Sequence, residues 1–104
     1  MIIYNTTYCV KQNLYDDFID WLKQTLVPTT QKSDLFVALP TIAQVLTEDD
    51  TDENAISISV QLTAENLEFL QIWFDNYQDN LDLQIKKLFG EKILSFSTFM
   101  KIIN

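Results

Sequence analysis

The acidic segment at residues 48–53 holds the side chains most capable of chemistry, because carboxylates are preferred ligands of Ca²⁺. A calcium-binding loop starting at Asp50 would take its first oxygen ligands from Asp50, Asp52 and Asn54. Such a loop also needs glycine at position six and a bidentate glutamate at position twelve, where this chain has Ala55 and Gln61. A strand-like alternation begins there too, so we interpret the segment as the solvated tip of a hairpin and predict no bound metal.

The chain contains no histidine, which is the most common general base at neutral pH and the most common metal ligand. Haem bound through histidine, Ser-His-Asp hydrolysis and Cys-His catalysis are therefore excluded within this sequence. Asp16 and Asp20 are spaced as a helical pair, but exposed carboxylates do not acquire the separated pKa values that acid–base catalysis requires. We predict no catalytic residue and no cofactor.

The charge balance argues against polyanionic partners. The net charge is −8, and all seven basic residues are lysines, so arginine's bidentate fork for phosphate is missing. Gly90 is the only glycine, and a glycine-rich phosphate loop cannot be built from it. We therefore predict that the protein binds neither nucleic acid nor nucleotides.

Three sequence features bear on the cellular compartment. No apolar run approaches the roughly 18 residues that span a bilayer. The first basic residue is Lys11, so the amino terminus does not resemble a signal peptide. The single cysteine, Cys9, has no internal disulfide partner. We predict a cytoplasmic protein that does not associate with membranes.

Hydrophobic periodicity predicts six elements within a single domain, residues 1–104. The predicted strands are residues 2–10, 35–47, 55–62 and 92–103, and the predicted helices are residues 14–26 and 64–89. Pro28 is expected to end the first helix, Pro40 to force an edge position or a bulge, Thr63 to cap the second helix and Gly90 to end it. The order β-α-β-β-α-β predicts an α+β, ferredoxin-like fold, a four-stranded antiparallel sheet with both helices on one face.

Strand alternation assigns a set of small polar side chains to the sheet face that the helices leave open. The set is Asn5, Thr7, Ser57, Ser59, Gln61, Ser95 and Ser97. A solvated sheet face normally carries long charged side chains, which this set lacks. We therefore predict that a second copy of the chain covers the face and forms a dimeric α+β barrel. A monomer whose polar face meets water is the alternative.

The ends and the middle of the chain resemble a known family. The stretches "MIIYNTT", "SVQLTAENLEFL" and "LFGEKILSFSTFM" are similar to short bacterial proteins of the domain of unknown function 4286 family. The resemblance implies a ferredoxin-like domain of the dimeric α+β barrel type, and it implies no activity. By topology the chain also resembles cofactor-free monooxygenases and stress-responsive barrel proteins, although fold analogy is weak evidence for function.

Two functions remain open from the sequence. The first is a homodimeric binding or structural domain, whose polar set is hydrogen-bonded filling at the interface or lines a lumen that binds a small hydrophobic ligand. The second is a cofactor-independent monooxygenase or isomerase acting on a hydrophobic substrate in that lumen. In the second case Asn5 or Ser57 would provide hydrogen bonds, and Trp21 or Trp73 would shape the pocket.

Overall fold

The computed structural model describes residues 1–46 and 55–104. The acidic segment, and with it the interpretation of Asp50 as part of a metal-free hairpin tip, lies outside the described residues.

Strands and helices follow one another along the described chain in the predicted order. They are β1 (Ile2–Lys11), α1 (Tyr15–Trp21), α2 (Val27–Ser33), β2 (Thr41–Gln44), β3 (Ala55–Ala64), α3 (Leu67–Trp73), α4 (Asp79–Phe89) and β4 (Leu94–Lys101). A π-helical turn, Leu22–Leu26, joins α1 to α2, and a second, Phe74–Gln78, joins α3 to α4. The helices therefore form two long runs, which we call the first and the second helical run.

The sheet is built around β1. This strand pairs antiparallel with β3 on one side and with β4 on the other, and β2 pairs antiparallel with the outer edge of β3. The resulting strand order is β2-β3-β1-β4. The prediction of a four-stranded antiparallel sheet with a ferredoxin-like topology is confirmed.

One hydrophobic core fills the space between the sheet and the two helical runs. The strands contribute alternate residues, among them Tyr4, Tyr8, Val10, Ile58, Val60 and Leu62, and the helical runs contribute Phe18, Leu22, Leu70, Trp73, Leu81 and Ile85. The ring centroids of Tyr8 and Phe18 lie 5.1 Å apart. Aromatic pairs of this kind add about 0.5–1.5 kcal/mol beyond the area they bury. Both helical runs thus lie on the same face of the sheet.

The first helical run is longer than predicted, because Pro28 does not end it. Pro28 lies in the first turn of α2, directly after the π turn, and the helix continues to Ser33. Proline has no N–H to donate, and it is tolerated here because the π turn has already interrupted the regular i→i−4 bonding: the Val27 N–H bonds to the Leu22 carbonyl, five residues back. The run ends at Asp34, whose φ of 56° places it in the left-handed region.

Two further boundaries differ from the predictions. The second strand is only four residues long and begins immediately after Pro40, at the edge of the sheet, where the missing N–H of proline costs no ladder hydrogen bond. Thr63 does not cap the second helix, since it remains within β3. Asn66 is the cap instead, and its side-chain oxygen accepts a 3.1 Å hydrogen bond from the Phe69 N–H. Gly90 ends α4 as predicted, with a φ of 70°.

The second π turn places a polar side chain inside the core. The indole Nε1 of Trp73, a fully buried residue, donates a 2.7 Å hydrogen bond to Oε1 of Gln78, which is also buried. A π turn brings residues five apart in sequence into contact, which is the separation of these two. Gln78 in turn donates from Nε2 to Oδ1 of Asp82 at 2.9 Å. The side-chain amide of Gln78 therefore gives the Trp73 indole N–H an acceptor and links the core to Asp82 on α4.

We expect Gln78→Met to lower the free energy of unfolding by about 1–3 kcal/mol, because methionine keeps the size of the side chain but leaves the Trp73 N–H without an acceptor. Urea denaturation followed by circular dichroism measures the change. Gln71→Met is the matched control, since Gln71 donates to Asp75 at 2.9 Å on the exposed surface, and its effect is expected to stay within about 0.5 kcal/mol. Equal losses in the two variants would contradict the assigned role of the buried bond.

Candidate functional site

The sheet face opposite the helices, which we call the open face, carries five of the seven predicted site residues. Strand pairing places Asn5 opposite Gln61, Thr7 opposite Ser59 and Cys9 opposite Ser57. Ser59 Oγ donates a 2.6 Å hydrogen bond to Asn5 Oδ1, and Asn5 Nδ2 donates to Thr7 Oγ1 at 3.4 Å. The structure therefore brings Asn5, Thr7, Ser57, Ser59 and Gln61 together as a polar centre. Their predicted role in ligand binding stays a prediction.

The predicted placement of Ser95 and Ser97 on the open face is wrong. The pairing of β1 with β4 puts Ser97 opposite Thr6 and Ser95 opposite Tyr8, on the helix side of the sheet. The Ser97 Oγ lies 2.9 Å from Thr6 Oγ1 and donates to the Tyr4 hydroxyl at 3.5 Å. The small polar residues of β4 suggest the opposite orientation, but the register of β4 with β1 determines which face they occupy.

The same register turns large apolar side chains toward the open face along β4. Leu94, Phe96 and Met100 lie there, opposite Cys9, Thr7 and Ile3 respectively. The exposed fractions are 70% for Leu94 and 61% for Phe96. Within the described strands, Lys11 at one end of β1 is the only charged residue whose register places it on this face. The open face is thus a neutral surface with a polar centre and an apolar margin.

A cleft of about 350 Å³, which we call the helix-side cleft, lies between α4 and the β1–β4 half of the sheet. Its lining includes the apolar residues Ile85 and Ile93. Its polar lining is Tyr4, Thr6, Tyr8, Gln78, Asp82, Lys86, Glu91, Ser95 and Ser97. The serines of β4 are too small to fill the space next to α4, and the cleft is the result. Its volume lies within the range of small-molecule sites, roughly 300–1,000 Å³.

Tyr8 is the most buried titratable residue of the cleft lining, with 4% of its surface exposed. Burial, helped by the nearby Tyr4 and Asp82, raises the pKa of the Tyr8 hydroxyl well above its ordinary value of 10.0. The phenol is therefore neutral at physiological pH. Among the described residues its hydroxyl has no hydrogen-bond partner.

Asp82 is an exposed residue of the cleft lining whose carboxylate has lost part of its hydration. Burial raises the pKa of this carboxyl above its ordinary value of 3.8, the hydrogen bond from Gln78 lowers it, and the charge of Asp79 raises it further. Lys86 also lines the cleft, but its Nζ lies 3.8 Å from Oε1 of Glu91, in an exposed ion pair. No salt bridge to Asp82 is found within the described residues.

The helix-side cleft was not predicted, although the sequence contained a signal for it. Tyr4, Thr6 and Tyr8 place three polar-tipped side chains on the core-facing positions of β1, and buried polar groups require partners. Gln78 occupies a core position of the second helical run, within the predicted helix 64–89. Trp21 and Trp73 are core residues on the helix side, so they cannot shape a pocket on the open face.

In residues 1–46 and 55–104, histidine, cysteine, aspartate and glutamate side chains do not gather in groups of three or more that could hold a metal ion. None of the helices described there is both long enough and apolar enough to cross a membrane.

The model of a protein family described as "Domain of unknown function (DUF4286)" matches residues 1–103. The chain belongs to the DUF4286 family. The resemblance inferred from the sequence is therefore confirmed, and membership brings no established activity. No curated protein matches the chain.

Solved structures share the fold at low sequence identity. A candidate antibiotic biosynthesis monooxygenase from Deinococcus radiodurans is similar with a TM-score of 0.69 and 12% identity, covering 100% of this chain and 94% of that one. A second antibiotic biosynthesis monooxygenase is similar with a TM-score of 0.67 and 14% identity, covering both chains fully. A dimeric ferredoxin-like protein from an uncultured marine organism has a TM-score of 0.68 and 12% identity, covering 100% and 96%. At these identities the likeness establishes the fold alone.

We expect the contribution of Asp82 to the free energy of unfolding to fall as the pH rises through its raised pKa. The folded state holds this proton more tightly than the unfolded chain does, so the contribution is fully present below the unfolded pKa, decreases between the unfolded and folded pKa values, and is lost above the folded value. Gln78 and Asp79 on the second helical run also act on the pKa of this carboxyl, and Asp82 in turn acts on the pKa of Tyr8 on β1. Lys86 lines the same cleft.

Asp82→Asn removes this effect. Urea denaturation at several pH values between 4 and 8 is expected to show the variant gaining stability relative to the wild type as the pH rises. The gain is at most about 1 kcal/mol, because solvent screens an exposed carboxylate. Asp16→Asn, an exposed site on the first helical run, serves as the control. A difference between Asp82→Asn and the wild type that does not change with pH would refute the assignment.

Proposed function

We propose that the protein is a homodimeric binding domain without catalysis of its own, in which the open faces of two subunits pack against each other. One observation carries the proposal, namely that a face with almost no charge exposes Leu94, Phe96 and Met100 beside the hydrogen-bonded polar centre. Contiguous exposed apolar surface of this kind marks an interaction site. We place the homodimer in the cytoplasm, as the sequence predicts.

The dimensions of the subunit support the proposal that another molecule covers the open face. The described chain extends 38 × 33 × 18 Å, so it is thin in one direction. Protein domains bury the hydrophobic surface of each layer against another layer. Here the helices cover one face of the sheet, and the other face has no cover from the described part of the chain.

A second copy of the chain is the occupant best suited to the open face. The net charge of −8 makes most of the surface acidic, so two copies would repel each other at any face that carries those charges. The open face avoids the repulsion, since Lys11 is its only described charge. Full burial of a large apolar side chain contributes about 1.5–3 kcal/mol, so six such residues from two subunits contribute on the order of 10 kcal/mol, comparable to the cost of association. One structural neighbour is itself described as a dimeric ferredoxin-like protein.

In this dimer the polar centres of the two subunits would face each other. Asn5, Thr7, Ser57, Ser59 and Gln61 would then either bind a small hydrophobic ligand in a lumen or fill the interface with hydrogen bonds. The 2.6 Å bond between Ser59 and Asn5 favours filling, because it satisfies both side chains without a ligand.

Catalysis is the second candidate function. Two structural neighbours carry the description of antibiotic biosynthesis monooxygenases, and the helix-side cleft provides a partly enclosed space next to the neutral phenol of Tyr8. Oxygen uptake measured with hydroxylated aromatic substrates, without added cofactor, tests this candidate.

We expect the wild-type protein to have about twice the 12.1 kDa mass of one chain in size-exclusion chromatography with light scattering. Phe96→Glu places a charge at the apolar margin. It is expected to raise the dissociation constant of the dimer by at least ~100-fold, so that the variant is a single chain at concentrations where the wild type is dimeric.

Leu83→Glu is the matched control. Leu83 is an apolar residue of α4 with 65% of its surface exposed, and it does not lie on the sheet. This variant is expected to remain dimeric, and circular dichroism establishes that both variants are folded. A wild-type protein that stays monomeric at millimolar concentration, or a Phe96→Glu variant that stays dimeric, would overturn the proposed assembly.

A further inference from the structure

We propose that the helix-side cleft binds a small organic amine that also carries a hydroxyl group. The ammonium group is held at Asp82, the hydroxyl pairs with Tyr8, and the apolar body lies against Ile85 and Ile93. The cleft belongs to one subunit, and its polar groups Tyr8, Ser95 and Ser97 lie on the opposite side of the sheet from the open face. Leu94 borders both surfaces, but the inference does not rest on the proposed dimer.

The hydroxyl of Tyr8 provides the first argument. The residue is 96% buried, since 4% of its surface is exposed, and it lines the cleft. Its hydroxyl oxygen makes no hydrogen bond to the described residues, and it is not one of their fully enclosed unpaired atoms. The oxygen therefore opens onto the cleft, where a ligand can reach it. The neighbouring hydroxyls of Tyr4, Thr6 and Ser97 are already connected to one another. A ligand atom that both donates and accepts would complete the set.

The carboxylate of Asp82 provides the second argument. Gln78 donates to one of its oxygens at 2.9 Å, and this is its only hydrogen bond within the described residues, which leaves the other oxygen for a ligand. A carboxylate without a cation at the wall of a partly apolar cleft is a site for an ammonium group. Lys86, the lysine of the cleft lining, lies in an ion pair with Glu91. The net charge of −8 also attracts organic cations and repels organic anions.

Four probes that differ by one group each separate these contributions. Tyramine has both the ammonium and the hydroxyl group. Phenethylamine lacks the hydroxyl, tyrosol lacks the ammonium, and 3-(4-hydroxyphenyl)propionate replaces the ammonium with a carboxylate. Titration followed by ¹⁵N-resolved amide shifts measures each Kd and locates the site.

We expect tyramine to shift the amides of residues around the cleft, including Tyr8, Asp82 and Ser95. Phenethylamine and tyrosol are each expected to bind about fivefold more weakly, as the loss of one hydrogen bond or one solvent-screened ion pair predicts. The propionate is expected not to bind. Equal affinity for all four probes, or shifts confined to other parts of the protein, would overturn the proposal.

Variants cross-check which protein group meets which ligand group. Tyr8→Phe is expected to weaken tyramine about fivefold and to leave phenethylamine unchanged, while Asp82→Asn weakens tyramine and leaves tyrosol unchanged. Loss of folding weakens every probe alike and so cannot produce this crossed pattern. Asp75→Asn, an exposed carboxylate outside the cleft, is the control and is expected to change no Kd.

The dimer-breaking variant Phe96→Glu separates this proposal from the proposed assembly. The variant is expected to bind tyramine with the wild-type Kd even when it is a single chain. If neither Tyr8→Phe nor Asp82→Asn shows its selective loss of tyramine affinity, the proposed ligand class is refuted. This conclusion holds for a monomer and for a dimer alike.

Discussion

The pairing of β1 with two neighbouring strands is the constraint on which the rest of the structure depends. Each residue of β1 from Ile2 to Cys9 lies opposite one residue of β3 and one of β4. Because side chains alternate between the faces of a sheet, this double register assigns every side chain of β1, β3 and β4 to one face or the other. It determines which residues meet the helices, which form the open face, and where the small serines of β4 leave the helix-side cleft.

The second helical run shows how a local irregularity can serve the core. Its π turn brings Trp73 into hydrogen-bonding distance of Gln78, five residues later, and Gln78 passes the contact on to Asp82. In a regular α-helix, residues five apart point to different sides of the helix axis, so the side chains of Trp73 and Gln78 would not meet. The turn therefore satisfies a buried indole and at the same time holds a carboxylate at the wall of the cleft.

The strand and helix order follows from hydrophobic periodicity, which explains why the fold and the polar centre of the open face could be predicted. In β3, strict alternation of apolar and small polar residues leaves only one orientation. In residues 93–100 the two alternating sets carry similar mixtures, with Ile93 and Phe99 in one set and Leu94 and Phe96 in the other, so composition does not determine the orientation of β4. The register with β1 does, and register depends on distant pairing that a single sequence does not reveal. The continuation of the first helical run past Pro28 was missed for a related reason, since a π turn has no simple sequence signature.

The position of β4 at the edge of the sheet also leaves backbone groups free to pair with another chain at high protein concentration. Its outer backbone groups form a ladder that no other strand of the described chain occupies, and Lys101 is its only charge. Natural edge strands usually avoid templating fibril growth through charges, prolines or bulges along their length. This strand has a cation only at its last residue and, at eight residues against the four of β2, it is the longer of the two edges that the described chain leaves open to pairing with another chain.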